Sequence, residues 1–205
     1  MKARQLNDLL VHNLLFSIPK FINFSANSSK NIYLSILKSV PVTFDSQLLI
    51  VRSSAADEDG ESQSSAGEYV SLLNVPSNIP EKVKAAVDSV IMSYEKKRAL
   101  LPDDQVIIQE MVENVSMSGV IFTHDLNTGA PYYVINYDDQ SGLTDTVTSG
   151  DGEYANRTLF IHRNAIQKLH SQRFIKLMQA VQELEQVMGS KFLDIEFALG
   201  DDLRP

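Results

Sequence analysis

The spacing of apolar residues changes along the chain from a helical period to short, strand-like runs. Leucines recur at three- and four-residue spacing over residues 3–16, which predicts an N-terminal helix that Pro19 ends. Residues 21–29 then predict an extended segment or strand followed by a loop, and residues 30–39 a second short helix. The branched apolar run at residues 47–51, QLLIV, predicts a buried strand.

A long helix is predicted over residues 80–100. Asn78 is placed to cap it, Pro80 lies in its first turn, and Glu81 is placed for a capping box. The apolar residues at helical spacing, which we expect to face the core, are Val83, Val87, Val90 and Tyr94. A turn follows at residues 101–104, LPDD.

The second half of the chain is dominated by strand-like runs. These runs are residues 105–112, 118–123, 131–137, 157–162 and 191–199. Residues 125–129 predict a tight connection in which Gly129 supplies permissive backbone angles. An amphipathic helix is predicted over residues 172–188, with Gly189 as its C-terminal stop. Its predicted inward residues are Phe174, Leu177, Val181, Leu184 and Met188.

Together these elements predict an α+β fold with two lobes. We expect an N-terminal lobe over residues 1–102 and a C-terminal lobe over residues 103–205, each with helices covering a sheet that is mainly antiparallel. A chain of 205 residues is long enough for one domain of two lobes or for two small domains.

Composition narrows the function classes. The formal charge of −8 argues against nucleic acid as a main partner, because such a surface repels phosphate backbones. The sequence contains no cysteine, which excludes disulfides, thiolate metal sites and a cysteine nucleophile and fits a reducing compartment. No apolar stretch approaches the length of a membrane span. We therefore expect a cytoplasmic protein with no membrane partner.

The last predicted strand carries a pair of carboxylates. Because side chains alternate along a strand, Asp194 and Glu196 share one face and lie roughly 7 Å apart. That spacing suits oxygen ligation of a Mg²⁺ ion bridged by phosphates. The alternative from this feature alone is an amphipathic strand with a solvated acidic face.

A second candidate site follows the 47–51 strand. Arg52 stands at the strand exit, with Ser53 and Ser54 behind it, and backbone N–H groups at such an exit can form an anion-binding concavity. The guanidinium of Arg52 could bind phosphate oxygens. Residues 52–68 are rich in serine, alanine, glycine and acid, so a disordered acidic linker and a strand-end arginine in solvent are the alternatives. Residues 107–112 could offer their backbone to an adenine edge, although many strands look similar.

These patterns together resemble the nucleotide-binding, ATP-grasp-like region of the phosphoenolpyruvate synthase and pyruvate phosphate dikinase family. The signature V-R-S-S-A-T-A-E-D, S-x-A-G and L-N-V is similar to residues 51–75. The motif G-K-A-x-x-L-x-x-L is similar to residues 2–9, and V-x-V-Q-x-M-V with S-G-V-x-F-T-R-D-P-x-T-G is similar to residues 106–129. The family's D-I-E-W/F-A strand resembles residues 193–199, so the resemblance covers essentially the whole chain.

The resemblance implies ATP and Mg²⁺ as ligands and a role for each matched residue. Lys2 and Arg52 would hold triphosphate oxygens, Arg52 as the catalytic anchor of a phosphate-covering loop at about residues 52–68 that includes Ser53 and Ser54. The residues that would line the adenine and ribose pocket are Gln109, Glu110, Met111 and Val112, with Glu110 as the ribose or amine contact. Asp194 and Glu196 would face the metal–phosphate end, Glu196 being the stronger metal candidate.

The chain departs from the family pattern at two places. The family's F-T-R-D-P is here F-T-H-D-L, with His124 in place of the arginine, and a surface loop histidine is the expected interpretation. A strand carrying L-Q-x-R-P, a phosphohistidine domain and a pyruvate-binding or phosphoenolpyruvate-binding barrel are expected in the family, so we interpret the chain as a C-terminally truncated piece of a longer enzyme. The chain alone would then not turn over, and an exposed sheet edge predicts self-association.

Three functional hypotheses remain open at the level of sequence. The first is the ATP-binding part of a dikinase in which ATP phosphorylates a histidine on a swivelling domain; related rifampicin- or glucan-type phosphotransferases fit the same motifs. The second is a non-catalytic nucleotide-binding or regulatory module, which would not need both Asp194 and Glu196. The third is a purely structural α+β domain, which would not need Arg52 followed by a glycine- and serine-rich loop.

Overall fold

The structure is a computed structural model that describes residues 2–56, 69–144, 146–149, 157–200 and 205. Most of the predicted phosphate-covering loop, residues 57–68, lies outside the described residues. The chain divides into two compact units. One comprises Met1–Val11 and Ile18–Met111, and the other comprises His12–Ser17 and Val112–Pro205.

The first unit is built on a four-stranded antiparallel sheet with the strand order β1-β4-β2-β3. Its strands are β1 (Phe21–Ser25), β2 (Leu48–Ser54), β3 (Ser71–Pro76) and β4 (Gln105–Glu110). Strand β4 pairs with β1 on one side and β2 on the other. Because β4 is central to this sheet, the boundary between the units falls after Met111, whereas the expected lobe boundary was at residue 102.

Helices cover one face of this first sheet. They are α2 (Lys30–Thr43) and α3 (Pro80–Glu95), while α1 (Lys2–Leu9) precedes the sheet in the chain. The predicted inward stripe of α3 is confirmed, because Val83, Val87, Val90 and Tyr94 are all buried in one cluster with residues of β2 and β4. Burial of such side chains contributes about 1.5–3 kcal/mol each, so this stripe is a main source of stability for the unit.

Several expectations for the first unit were wrong. The N-terminal helix ends at Leu9, not near residue 16, and His12–Ser17 belong to the other unit. Helix α3 begins at Pro80 as predicted but ends at Glu95, not near residue 100, and it has no side-chain cap, so Asn78 does not cap it. Strand β3 was not predicted, since its sequence SLLNVP contains Asn74 at φ 57 and a proline, both poor strand signals.

A buried carboxylate joins the end of α3 to the strands of the first unit. Asp104 is fully buried and accepts hydrogen bonds from Arg98 at 2.6 Å and 2.9 Å. It also accepts from the backbone N–H groups of Ala56 at 3.0 Å and Leu101 at 2.7 Å. Burial is the largest influence on the Asp104 pKa and raises it, but these hydrogen bonds and the Arg98 charge together lower it below its ordinary value.

We expect Asp104→Asn to destabilise the protein by about 2–4 kcal/mol, because an amide removes the charge and turns one acceptor into a donor facing buried N–H groups. Since the folded-state pKa is lowered, this stability is present at neutral pH, is complete above the unfolded pKa of about 4, and is lost as the pH falls through the folded value. Urea unfolding followed by circular dichroism measures the loss, with the exposed neighbour Asp103→Asn as the matched control. Equal midpoints for the two variants would contradict this assignment.

The second unit contains another four-stranded antiparallel sheet, with the order β7-β6-β5-β8. Its strands are β5 (Val115–Phe122), β6 (Tyr132–Asp138), β7 (Arg157–His162) and β8 (Asp194–Gly200). The helices are the short α4 (Thr146–Ser149) and the long α5 (Gln172–Met188), with a 3₁₀ turn at Arg163–Lys168. The prediction of α5 is confirmed at both ends, and Gly189 adopts the left-handed conformation at φ 63 that stops it.

Helix α5 packs on one face of the second sheet. Of the five predicted inward residues, Phe174, Leu177 and Val181 are buried against β5 and β6, whereas Leu184 and Met188 are only partly buried. A buried charge was not predicted: Glu185 lies on the same helix and accepts two hydrogen bonds of 2.7 Å from Arg163. Tyr133 also donates to Glu185, at 2.9 Å. Burial is the larger cause that raises the pKa of the Tyr133 phenol, and this hydrogen bond raises it further.

Strand β6 leaves no room for a side chain at Gly119 of β5. A Cβ atom added there would lie 2.0 Å from the carbonyl oxygen of Asn136, a distance that backbone atoms cannot accommodate. Glycine at this position is therefore a packing requirement of the second sheet. Gly129, in the β5–β6 connection, is different, because an added Cβ would meet nothing within 4 Å although φ is +68.

We expect Gly119→Ala to lower the stability of the protein far more than Gly129→Ala. The first change forces the two strands apart, whereas the second costs only the strain of a left-handed alanine, about 1–2 kcal/mol. Thermal unfolding of both variants measures the difference. Similar melting temperatures would show that the two strands separate at little cost.

Within the described part of the chain, no helix combines the length and apolarity that a membrane span requires.

Candidate functional site

One face of the first sheet brings together the predicted phosphate and adenine residues. Arg52 lies within β2 and not after it, directly across from Ile107 of β4. Its Nη2 donates to Oε1 of Gln109 at 3.0 Å, and Nε2 of Gln109 donates to the carbonyl of Pro19 at 3.2 Å. Gln109 is almost fully buried, so the position of the Arg52 guanidinium is set by an amide that is itself fixed at both ends.

Helix α1, which carries Lys2, lies on this same face. The N–H of Ala3 donates to the hydroxyl of Ser54 at 3.0 Å, and Asn7 donates to Asn23 of β1 at 3.2 Å. Ser54 and Arg52 are two residues apart on β2 and therefore point to one side of the sheet. The structure thus places Lys2 and Arg52 on the same side of the sheet.

Other predicted contacts of the first unit point elsewhere. Ser53 faces the core and is 3% exposed, and the Ser54 hydroxyl accepts a hydrogen bond from α1.

The residues at the end of β4 have structural contacts of their own. The Oε1 of Glu110 accepts from the N–H groups of Asp45 at 2.8 Å and Ser46 at 3.2 Å, where the chain enters β2. Met111 follows the strand, its N–H donating to the carbonyl of Leu48 at 3.1 Å. Half-buried Val112 is the first residue of the second unit after β4.

We expect Glu110→Ala to lower the free energy of unfolding by about 1 kcal/mol, because two backbone N–H groups lose their acceptor. Glu110→Gln should lose less, since an amide oxygen can replace the carboxylate oxygen as acceptor. Urea midpoints of the two variants measure this order. An unchanged midpoint for Glu110→Ala would contradict a structural role for the carboxylate.

The second candidate cluster lies on β8. Alternation along this strand is as predicted: Asp194 and Glu196 are exposed on one face, whereas Ile195, Phe197 and Leu199 pack into the core of the second unit. Asp194 pairs with Phe122 of β5, and Glu196 pairs with Val120. The carboxylates therefore project from the sheet face opposite to that covered by α5.

This donor set fits a hard divalent cation that is also held by a ligand. Mg²⁺ is usually bound by one or two carboxylates together with substrate phosphates and water. Among the described residues, no group of three or more histidine, cysteine or acidic side chains could hold a metal ion. Two carboxylates on one strand face match the share that a protein contributes to a metal–phosphate site.

Sequence reasoning missed the fixed position of His124. Its Nδ1 lies 2.7 Å from the carbonyl of Lys191, and its ring stacks on Phe192 with centroids 4.4 Å apart and an interplanar angle of 29°. A histidine after a strand is typical of a surface loop, so spacing alone carried no signal. The contacts come from the chain segment that precedes β8, which only the folded structure brings alongside.

The chain is similar to a known protein family and to a bacterial transferase. The family described as pyruvate phosphate dikinase, AMP/ATP-binding domain, matches residues 23–153. The prodigiosin synthesizing transferase PigC of Serratia marcescens is 35% identical over 112 residues, which are 52% of this chain and 12% of that protein.

Two solved structures are similar in fold. The VanG D-Ala:D-Ser ligase from Enterococcus faecalis matches 99% of this chain and 49% of its own, with a TM-score of 0.52 at 13% identity. The D-alanine-D-alanine ligase from Coxiella burnetii matches 99% of this chain and 44% of its own, with a TM-score of 0.50 at 12% identity. The chain therefore spans about half the length of these enzymes and a smaller share of PigC.

The fold is thus α+β and of the ATP-grasp-like class, as the sequence predicted. Within that class, the match over more than half of the chain identifies its family. The chain belongs to the AMP/ATP-binding domains of the pyruvate phosphate dikinase family.

Proposed function

We propose that this chain binds Mg·ATP as the nucleotide-binding part of a dikinase-type phosphotransferase. The observation that carries the proposal is the hydrogen-bonded pair of Arg52 and Gln109, on the sheet face that also receives the helix of Lys2. Two cationic side chains on one face provide the charge that a polyphosphate needs. The family match supplies the nucleotide class.

In this proposal α1, β2 and the end of β4 provide the phosphate and base contacts. Arg52 and Lys2 are proposed to bind phosphate oxygens, with Ser53 and Ser54 beside them on β2. The backbone N–H of Ser54 is already used, because it donates to the Tyr94 hydroxyl at 2.9 Å. Gln109 orients the Arg52 guanidinium, so its removal would release a side chain with several rotatable bonds. Residues 109–112 are assigned to the adenine and ribose, with the backbone of Glu110 better suited than its carboxylate, which already binds Asp45 and Ser46.

The acidic face of β8 is the proposed metal site. Glu196 and Asp194 are proposed as ligands of Mg²⁺, with Glu196 as the principal one. A bound Mg²⁺ would neutralise phosphate charge during phosphoryl transfer. The chain's own contribution is to hold the acidic residues on a strand whose other face is packed in the core, which fixes the backbone that carries them.

The phosphoryl acceptor is proposed to belong to a longer protein. A histidine on a swivelling phosphohistidine domain would accept the phosphoryl group and pass it to a pyruvate-binding or phosphoenolpyruvate-binding domain. The chain alone is then expected to bind the nucleotide without turnover, and we propose a cytoplasmic location. The transferase named among its relatives supports group transfer as the class of reaction.

Isothermal titration calorimetry of this chain with Mg·ATP tests the proposal, beside Arg52→Ala and Glu196→Ala. We expect each variant to weaken binding by tenfold or more, since each loses a charge-assisted contact worth about 1.5–3 kcal/mol. Matched controls are Arg4→Ala, an exposed arginine of α1, and Glu113→Ala, an exposed glutamate that precedes β5. Both controls should bind as the parent chain does.

Two results would count against the proposal in different ways. Binding that is unchanged in both site variants would refute the site and favour a non-catalytic nucleotide-binding module. If the parent chain fails to bind Mg·ATP at concentrations well above the millimolar range, the nucleotide function itself is refuted for this chain.

A further inference from the structure

We propose that His124 is a ligand-contacting residue of the carboxylate face on β8, where its Nε2 donates a hydrogen bond to a phosphoryl oxygen of the bound nucleotide. The inference rests on the proposed function, because it names one more contact of the same site. It assigns a role to a side chain for which the sequence indicated only a surface loop.

The first argument is the position of His124 on the sheet. Glu196 pairs with Val120, and Asp194 pairs with Phe122. The next positions on the same face are Phe192 and His124, because side chains two residues apart in an extended strand share a face. The observed ring stack of Phe192 and His124 agrees with this continuation of the ladder. The imidazole and the two carboxylates therefore occupy three successive rows on one face.

The second argument is the ring orientation. A carbonyl oxygen only accepts hydrogen bonds, so the 2.7 Å contact with Lys191 places a proton on Nδ1. Among the described residues, the ring makes no hydrogen bond through Nε2. A histidine whose Nδ1–H is bound to a backbone carbonyl has its Nε2 aimed in a defined direction, an arrangement typical of histidines that contact ligands.

The third argument is the backbone beneath the ring. Thr123 is fully buried, and its N–H donates to the carbonyl of Leu193 at 3.0 Å. Its hydroxyl donates to the carbonyl of Lys191 at 2.6 Å, and its carbonyl accepts from Arg163 at 2.8 Å. Arg163 is held in turn by the buried carboxylate of Glu185. A buried ion pair and two strand segments thus fix the residue immediately before His124.

The chemistry of the face selects the ligand. An imidazolium donates from both nitrogens, so Nε2 can donate to a phosphoryl oxygen while Nδ1 stays on the Lys191 carbonyl. Such a charge-assisted hydrogen bond is among the stronger polar contacts in proteins. A phosphate held through a cation by Asp194 and Glu196 would have its oxygens close to this end of the face. The class of ligand is therefore a polyphosphate, and the contact should be absent with a nucleoside monophosphate.

The test compares Mg·ATP with AMP by calorimetry on the full chain and on His124→Ala, His124→Arg and His170→Ala. We expect His124→Ala to weaken Mg·ATP binding about tenfold and to leave AMP binding nearly unchanged. His124→Arg should bind Mg·ATP nearly as well as the parent, because a guanidinium also donates to phosphate. His170 is exposed and serves as the matched histidine control.

Nitrogen-15 spectra of the histidine rings provide an independent readout. On addition of Mg·ATP, the Nε2 signal that disappears in His124→Ala should move toward its protonated position, whereas AMP should leave it in place. A purely structural role would instead weaken ATP and AMP binding equally in His124→Ala, and that result would overturn the inference. An arginine variant as weak as the alanine variant would also overturn it. If the parent chain itself does not bind Mg·ATP, the proposed function is refuted, and the role of His124 is refuted with it.

Discussion

The first unit depends on a carboxylate, that of Asp104, which is fully buried and is held in its charged form by several hydrogen-bond donors. Asp104 receives the guanidinium of Arg98, the N–H of Ala56 after β2 and the N–H of Leu101, and its own carbonyl accepts from Ala26. The end of α3, the exit of β2 and the segment after β1 all meet at this residue. Arg52 lies four residues before Ala56, on the strand whose exit is held by this bond.

The second unit also contains a buried carboxylate, that of Glu185. Glu185 is buried under the sheet, where Arg163 and Tyr133 hold it, and the pair fixes Thr123 at the end of β5. Buried ion pairs give little net stability compared with apolar groups of the same size, but removing one partner is costly. Their contribution in both units is therefore geometric: each fixes the chain beside residues that we assign to the nucleotide.

The parts of the fold that follow periodicity could be predicted from the sequence. Helix α5 and the inward stripe of α3 were found because apolar residues repeat at helical spacing over four turns, and the alternation on β8 placed Asp194 and Glu196 on one face. Contacts between distant segments could not be predicted, since nothing local marks them. The stack of His124 on Phe192 joins residues 68 positions apart, and the bond from Arg52 to Gln109 depends on a strand register.

The seven residues of strand β8 alternate between positions that pack in the core and positions that are exposed. Its inward positions are constrained by packing in the core beneath α5, whereas its outward positions, Asp194 and Glu196, are exposed on the opposite face. Substitutions at the outward positions can therefore change what the strand binds while the sheet stays intact. Insertion of a single residue would exchange the two sets and abolish folding and binding together. Point substitution on the outward face is therefore compatible with this fold, whereas a change in the length of the strand is not.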